Sequence, residues 1–144
     1  MSSNPLFDAS YERLFGAGVS ISEQSDSFFA AFYTNFLAEP DVGDFFRETD
    51  MARQISMLRR SFFQLAAFYV SCEPSAELER IAFIHHKLRI DPVHYEIWLD
   101  ALVKTVRAED PQCDLATELA WRWALTPGIT YMKLIGRFSD SQSA

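Results

Sequence analysis

The sequence predicts an all-α domain of about seven helices. Three observations carry that prediction. Apolar residues recur at steps of three and four almost from end to end, and no stretch alternates apolar and polar as a half-buried strand would. Residues that start and stop helices fall in short breaks between the periodic segments. The 144 residues are 49% hydrophobic and 15% aromatic, with 13 Phe, 5 Tyr and 3 Trp, which is apolar surface enough for one sizeable core. A single domain over residues 1–144 is expected, with 1–7 and 139–144 flexible at its ends.

A first helix is expected over about 8–16, stopped at Gly16-Ala17-Gly18. Ser20, Ser22 and Ser25 offer caps for a second, about 22–38, whose apolar set includes Phe28, Phe29, Phe32, Phe36 and Leu37. Glu39-Pro40-Asp41 ends it and starts a short helix toward Phe45-Phe46. Thr49-Asp50 caps a long helix, about 50–71, in which Met51, Ile55, Leu58, Phe62, Leu65 and Tyr69 form one apolar stripe. Pro74-Ser75 opens a helix of about 75–88, and Asp91-Pro92 one of about 92–108. Asp114 caps the last helix, where Pro127-Gly128 predicts a kink or break. Trp121 and Trp123, two residues apart, face different ways, one to the core and one partly to solvent.

A net charge of −7 argues against nucleic acid and anionic membranes as partners. Cys72 and Cys113 stand in no metal-binding spacing and read as free thiols of a reducing compartment. No apolar run approaches 18 residues and no signal-peptide pattern opens the chain, so the expectation is a soluble, cytoplasmic protein with no membrane partner. Phosphate-binding glycine loops, His-Glu-x-x-His, paired Cys-x-x-Cys and serine elbows are all missing from the sequence.

One stretch carries chemistry. Leu78, Ile81, Ala82 and His85 share a helix face, and Tyr95 follows ten residues after His85, beyond a helix stop and the Asp91-Pro92 restart. An imidazole held on an apolar face is a good axial ligand for haem iron. The alternative is a core histidine bonded to a backbone carbonyl. His86 lies about 100° around the helix, so both rings cannot meet one iron.

Four pieces in order make the chain similar to the globins, and most of all to bacterial single-domain haemoglobins, over about residues 8–137. They are Phe32-Tyr33 in the second helix; Pro40 with Phe46 six residues on; Gln54 with Leu58 on the long helix; and His85 with His94-Tyr95 downstream. The resemblance implies a globin fold, a helical sandwich around a haem pocket. It also implies haem b, with His85 as the proximal iron ligand, Phe46 stacked on the porphyrin, and Tyr33 and Gln54 as the distal polar pair. Tyr95 would lie beside His85, either hydrogen-bonded to it or packed under the haem, and His94 would cap a helix or touch the surface. Leu58, Phe62, Ile90 and Leu99 would line the pocket, with Leu65, Trp98, Leu102, Leu125, Ile129 and Met132 equally readable as ordinary core. The stretch between Phe46 and Gln54 is slightly short, so Arg53 and Met57 stand as alternatives for the distal position. Arg53, Arg59 and Arg60 read as surface groups or propionate partners.

The function so implied is reversible binding of oxygen or another diatomic gas (nitric oxide, carbon monoxide), in carriage or storage rather than catalysis. The alternatives are a nitric oxide dioxygenase or weak peroxidase served by a separate reductase, and a sensor globin acting through a partner protein. A homodimer is a further partner consistent with the aromatic excess. One departure counts against a strongly pushed iron. Where flavin-linked relatives carry a glutamate on the last helix, this chain reads Lys133-Leu134-Ile135-Gly136-Arg137.

Overall fold

The computed structural model describes residues 4–16 and 25–143, with side chains through residue 135. Among the described residues there are seven α-helices and no strand: α1 (Pro5–Phe15), α2 (Asp26–Leu37), α3 (Pro40–Gly43), α4 (Met51–Ser71), α5 (Ala76–Lys87), α6 (Pro92–Glu109) and α7 (Leu115–Ser143). A 3-10 turn, Asp44–Phe46, follows α3 directly.

Local chemistry explains the boundaries. Asp50, Ser75, Asp91 and Asp114 accept hydrogen bonds from the backbone N–H groups of Arg53, Leu78, Val93 and Thr117, which would otherwise go unsatisfied in the first turns of α4, α5, α6 and α7. Pro40 and Pro92 sit in the first turns of α3 and α6, where a missing N–H costs nothing. Cys72 closes α4 in the left-handed region, at φ 57°.

Three expectations need correction. The first helix starts at Pro5, not near residue 8, because Asn4 is a cap: its Oδ1 accepts from the Phe7 N–H and its Nδ2 donates to the Ala120 carbonyl of α7. Asn4 and Phe7 are therefore buried rather than frayed. The second helix begins at Asp26, just after Ser25; Ala17, Gly18, Ser20 and Ser22 lie outside the described residues. The last helix continues through Pro127 without a break. Pro127 removes one backbone donor there, while Gly128 sits against α4, where a Cβ would come within 2.8 Å of Leu65 Cδ2.

α7 is the spine. It packs on α1, α4, α5 and α6, while α2 bridges α4 and α6. Between these layers Phe7, Phe15, Phe28, Phe29, Phe62 and Trp121 form an aromatic core with mostly edge-to-face contacts. Trp121 is fully buried and Trp123 points outward, as the two-residue spacing predicts. A buried polar knot ties α1 to the end of α6. Trp121 Nε1 donates to Ser10 Oγ, which donates to Asp110, and Asp110 also accepts two bonds from Arg13.

Candidate functional site

The other end of the fold is packed differently. Of the 21 residues of α4 only Phe62 and Ala66 are buried, and α5 buries only Leu78 and Ala82. The apolar residues Ile55 and Leu58 of α4, Ile81 of α5, Ile97 and Trp98 of α6, Phe46 and Ile90 all stay partly exposed. Apolar groups that pack on the core yet are not closed over by protein make a wall for an apolar ligand.

His85 lies one turn beyond Ile81 on α5. Its Nδ1 lies 2.9 Å from the Ile81 carbonyl, one turn back on α5. A carbonyl can only accept, so Nδ1 carries the proton and the lone pair of the neutral ring is on Nε2. Burial pushes the imidazole pKa down, and the bond to Ile81 offsets this in part. The ring is thus the neutral tautomer, oriented by one bond, with a donor nitrogen for a metal. Tyr95 is buried beside it, ring to ring, with centroids 6.4 Å apart, and burial raises its phenol to about 12.

Tyr33 and Gln54 form a second polar group. Gln54 Nε2 donates to the Tyr33 hydroxyl at 3.2 Å. Tyr33 is 5% exposed, and burial lifts its pKa to about 12 against the opposing effect of Gln54, so the phenol keeps its own proton as a donor. Arg53 and Met57, the alternatives to Gln54, are both exposed.

Phe46 lies 6.0 Å from Tyr33 and 6.0 Å from Phe36 in edge contacts. Its neighbour Phe45 meets His94 edge-on at 5.2 Å. Of the expected site residues, Tyr33 thus touches Gln54 and Phe46, and His85 touches Tyr95. Leu58 and Ile90 are partly exposed apolar groups, and Leu99 is buried in the core. Phe62 belongs to the aromatic core rather than to this region, its ring packed on Phe29, Phe15 and Trp121.

His94 is the residue whose place the sequence did not convey. It is not the cap of α6, since the Asp91 carboxylate performs that role. Its Nδ1 is buried with no hydrogen-bond partner, a cost that a polar group on an incoming ligand would relieve. Arg59, read as a surface or propionate group, pairs with Asp26 of α2 at 2.9 Å. Among the described residues no cluster of three His, Cys, Asp or Glu side chains is placed to hold a metal ion, and no helix is long and apolar enough to cross a membrane.

No protein-family model and no curated protein matches the chain. A solved structure does. Protein PA3967 of Pseudomonas aeruginosa PAO1, described as structurally highly homologous to a human haemoglobin, is 31% identical over 92% of this chain and 96% of that one, with a TM-score of 0.77.

Proposed function

The chain belongs to the globin family, and from that premise we propose that it binds haem b and, through it, reversibly binds oxygen or another diatomic gas. The observation that carries this reading is the His85 ring: its Nδ1 donates to the Ile81 carbonyl, and burial favours the neutral form, which would leave the Nε2 lone pair for a metal. The donor set fits the group. A haem needs one axial nitrogen, apolar faces and a polar group at its edge. His85 Nε2 supplies the first, while Ile55, Leu58, Ile81, Ile90 and Phe46 supply the second. The buried, unpartnered Nδ1 of His94 supplies the third.

When bound, ferrous haem offers an open coordination position to a small gas. The chain's own residues set what happens around that position. His85 would give its lone pair, its ring kept from turning by Ile81. Tyr33, held by Gln54, would present a phenolic O–H to a bound ligand that takes on negative charge, and so slow its release.

The purified protein titrated with hemin tests this. The expected result is a sharp, stoichiometric Soret transition and, after reduction, a spectrum that changes reversibly with oxygen or carbon monoxide. A protein that stays colourless, or binds hemin only weakly and without saturation, contradicts it.

A further inference from the structure

On the reading that Tyr33 faces the bound gas, we infer that the hydrogen bond from Asn35 to Thr105 is a positioning contact. It fixes how α2 is turned against α6, and thereby where the Tyr33 hydroxyl stands. Asn35 lies on α2 two residues after Tyr33, and its Nδ2 donates to Thr105 Oγ1 of α6 at 3.0 Å. Thr105 Oγ1 in turn donates to the Ala101 carbonyl, one turn back on α6, at 2.8 Å. Its single proton is thus engaged, and Thr105 offers Asn35 only a lone pair. Among the described residues this is the one side-chain hydrogen bond that joins α2 to α6.

Thr105 is fully buried, as are Leu102, Val103 and Val106 around it in sequence. A valine has nearly the same shape and would fill that place with no polar group to satisfy. What the hydroxyl adds is direction, because a hydrogen bond weakens steeply with angle and distance. Phe32, one turn before Asn35 on the same face of α2, meets Trp98 of α6 with ring centroids 5.6 Å apart. That contact is apolar and tolerates small slides.

Residues two apart on a helix point about 160° apart. Asn35 therefore holds α2 to α6 on one side, while on the nearly opposite side Tyr33 accepts from Gln54 of α4 at 3.2 Å. A tyrosine hydroxyl stands roughly 9 Å from its helix axis, so a turn of about 10° carries it about 1.5 Å. A displacement of that size breaks a hydrogen bond.

Thr105→Val and Thr105→Ser, each alone and combined with Tyr33→Phe, test this. The readouts are oxygen release from the haem-loaded chain and, before hemin is added, the NMR signals of the Gln54 side-chain amide. Thr105→Val should take up hemin with wild-type stoichiometry, release oxygen about threefold faster and leave carbon monoxide release unchanged. Thr105→Ser keeps the hydroxyl and should restore the wild-type rate. Because the contact acts through Tyr33, Thr105→Val should add nothing in the Tyr33→Phe background. Without haem, the Gln54 amide signals should shift and exchange faster with water in Thr105→Val, and not in Thr105→Ser. Asn35→Ala, at a half-buried position, removes the same bond and takes the place of Thr105→Val should that variant not fold. An acceleration that persists undiminished in Tyr33→Phe overturns the inference, and so do Gln54 amide signals identical in Thr105→Val and wild type. If Tyr33→Phe alone leaves oxygen release unchanged, the distal role of Tyr33 fails instead, and the Gln54 amide decides the positioning contact by itself.

Discussion

At the scale of single residues, the Tyr33–Gln54 pair bears on the proposed ligand binding and the Asp110 group on stability. Tyr33 has its oxygen engaged by Gln54 and its proton to give. Tyr33→Phe removes that donor and keeps the ring. A hydrogen bond of about 1 to 1.5 kcal/mol corresponds to roughly tenfold faster oxygen release, with carbon monoxide release little changed because that ligand takes on less charge. Stopped-flow displacement of oxygen by carbon monoxide measures it, and an unchanged oxygen rate would remove Tyr33 from the ligand's surroundings. Asp110 serves the fold instead. Bonds from Arg13, and then from Ser10 and the Gln112 N–H, outweigh burial and hold its carboxyl at about 2 against an ordinary 3.8. A depressed folded-state pKa means the stabilisation is fully present above about pH 4 and is lost as pH falls toward 2, to the extent of about 2 kcal/mol. Urea midpoints between pH 2 and pH 5 should show this slope (a range set by those two values), and Asp110→Asn should flatten it while costing about 2 to 4 kcal/mol at neutral pH. A slope that survives the substitution would place the acid sensitivity elsewhere.

At the scale of helices, α4 and α7 meet closely at Gly128. Gly128 lets the two backbones approach where a Cβ would press on Leu65 Cδ2. Gly128→Ala asks only for the end of the Leu65 side chain to move, and the gain in helix propensity offsets that, so the net change should stay within about 1 kcal/mol. Gly128→Val adds branches that Leu65 cannot avoid, and the urea midpoint should report a loss of about 2 kcal/mol. Equal effects from both substitutions would mean the seam is looser than it looks. Most element boundaries were legible in the sequence because caps are local: Asp50, Ser75, Asp91 and Asp114 each act within three residues. The start of α1 is set instead by Asn4-Pro5, a cap and first-position pair that lies ahead of the periodic apolar segment. The break expected at Pro127 failed for a different reason. Packing of α7 against four other helices outweighs one lost backbone bond.

At the scale of the molecule, the division of labour lies along the chain's two ends of packing. The aromatic side chains around Trp121 are mostly buried, while α4, α5 and the turn at Phe46 leave apolar side chains partly uncovered. Tyr33, Gln54, Phe46, His85 and Tyr95 are expected from the family resemblance, and the structure sets Tyr33 against Gln54 and Phe46, and His85 against Tyr95. Two features were not legible. The knot of Ser10, Arg13, Asp110 and Trp121 joins residues about a hundred positions apart, and no local pattern announces it. The orphaned ring nitrogen of His94 depends on how the Phe45 turn lies over α6, which is a matter of tertiary packing. The proposed function rests on a bond from His85 to haem iron. The most direct measurement is the iron–histidine stretching band in the resonance Raman spectrum of the reduced, haem-loaded protein, taken for the wild type and for His85→Gly with and without added imidazole. The band should be present in the wild type, vanish in His85→Gly and return with imidazole; a band that persists unchanged in His85→Gly would contradict the assignment.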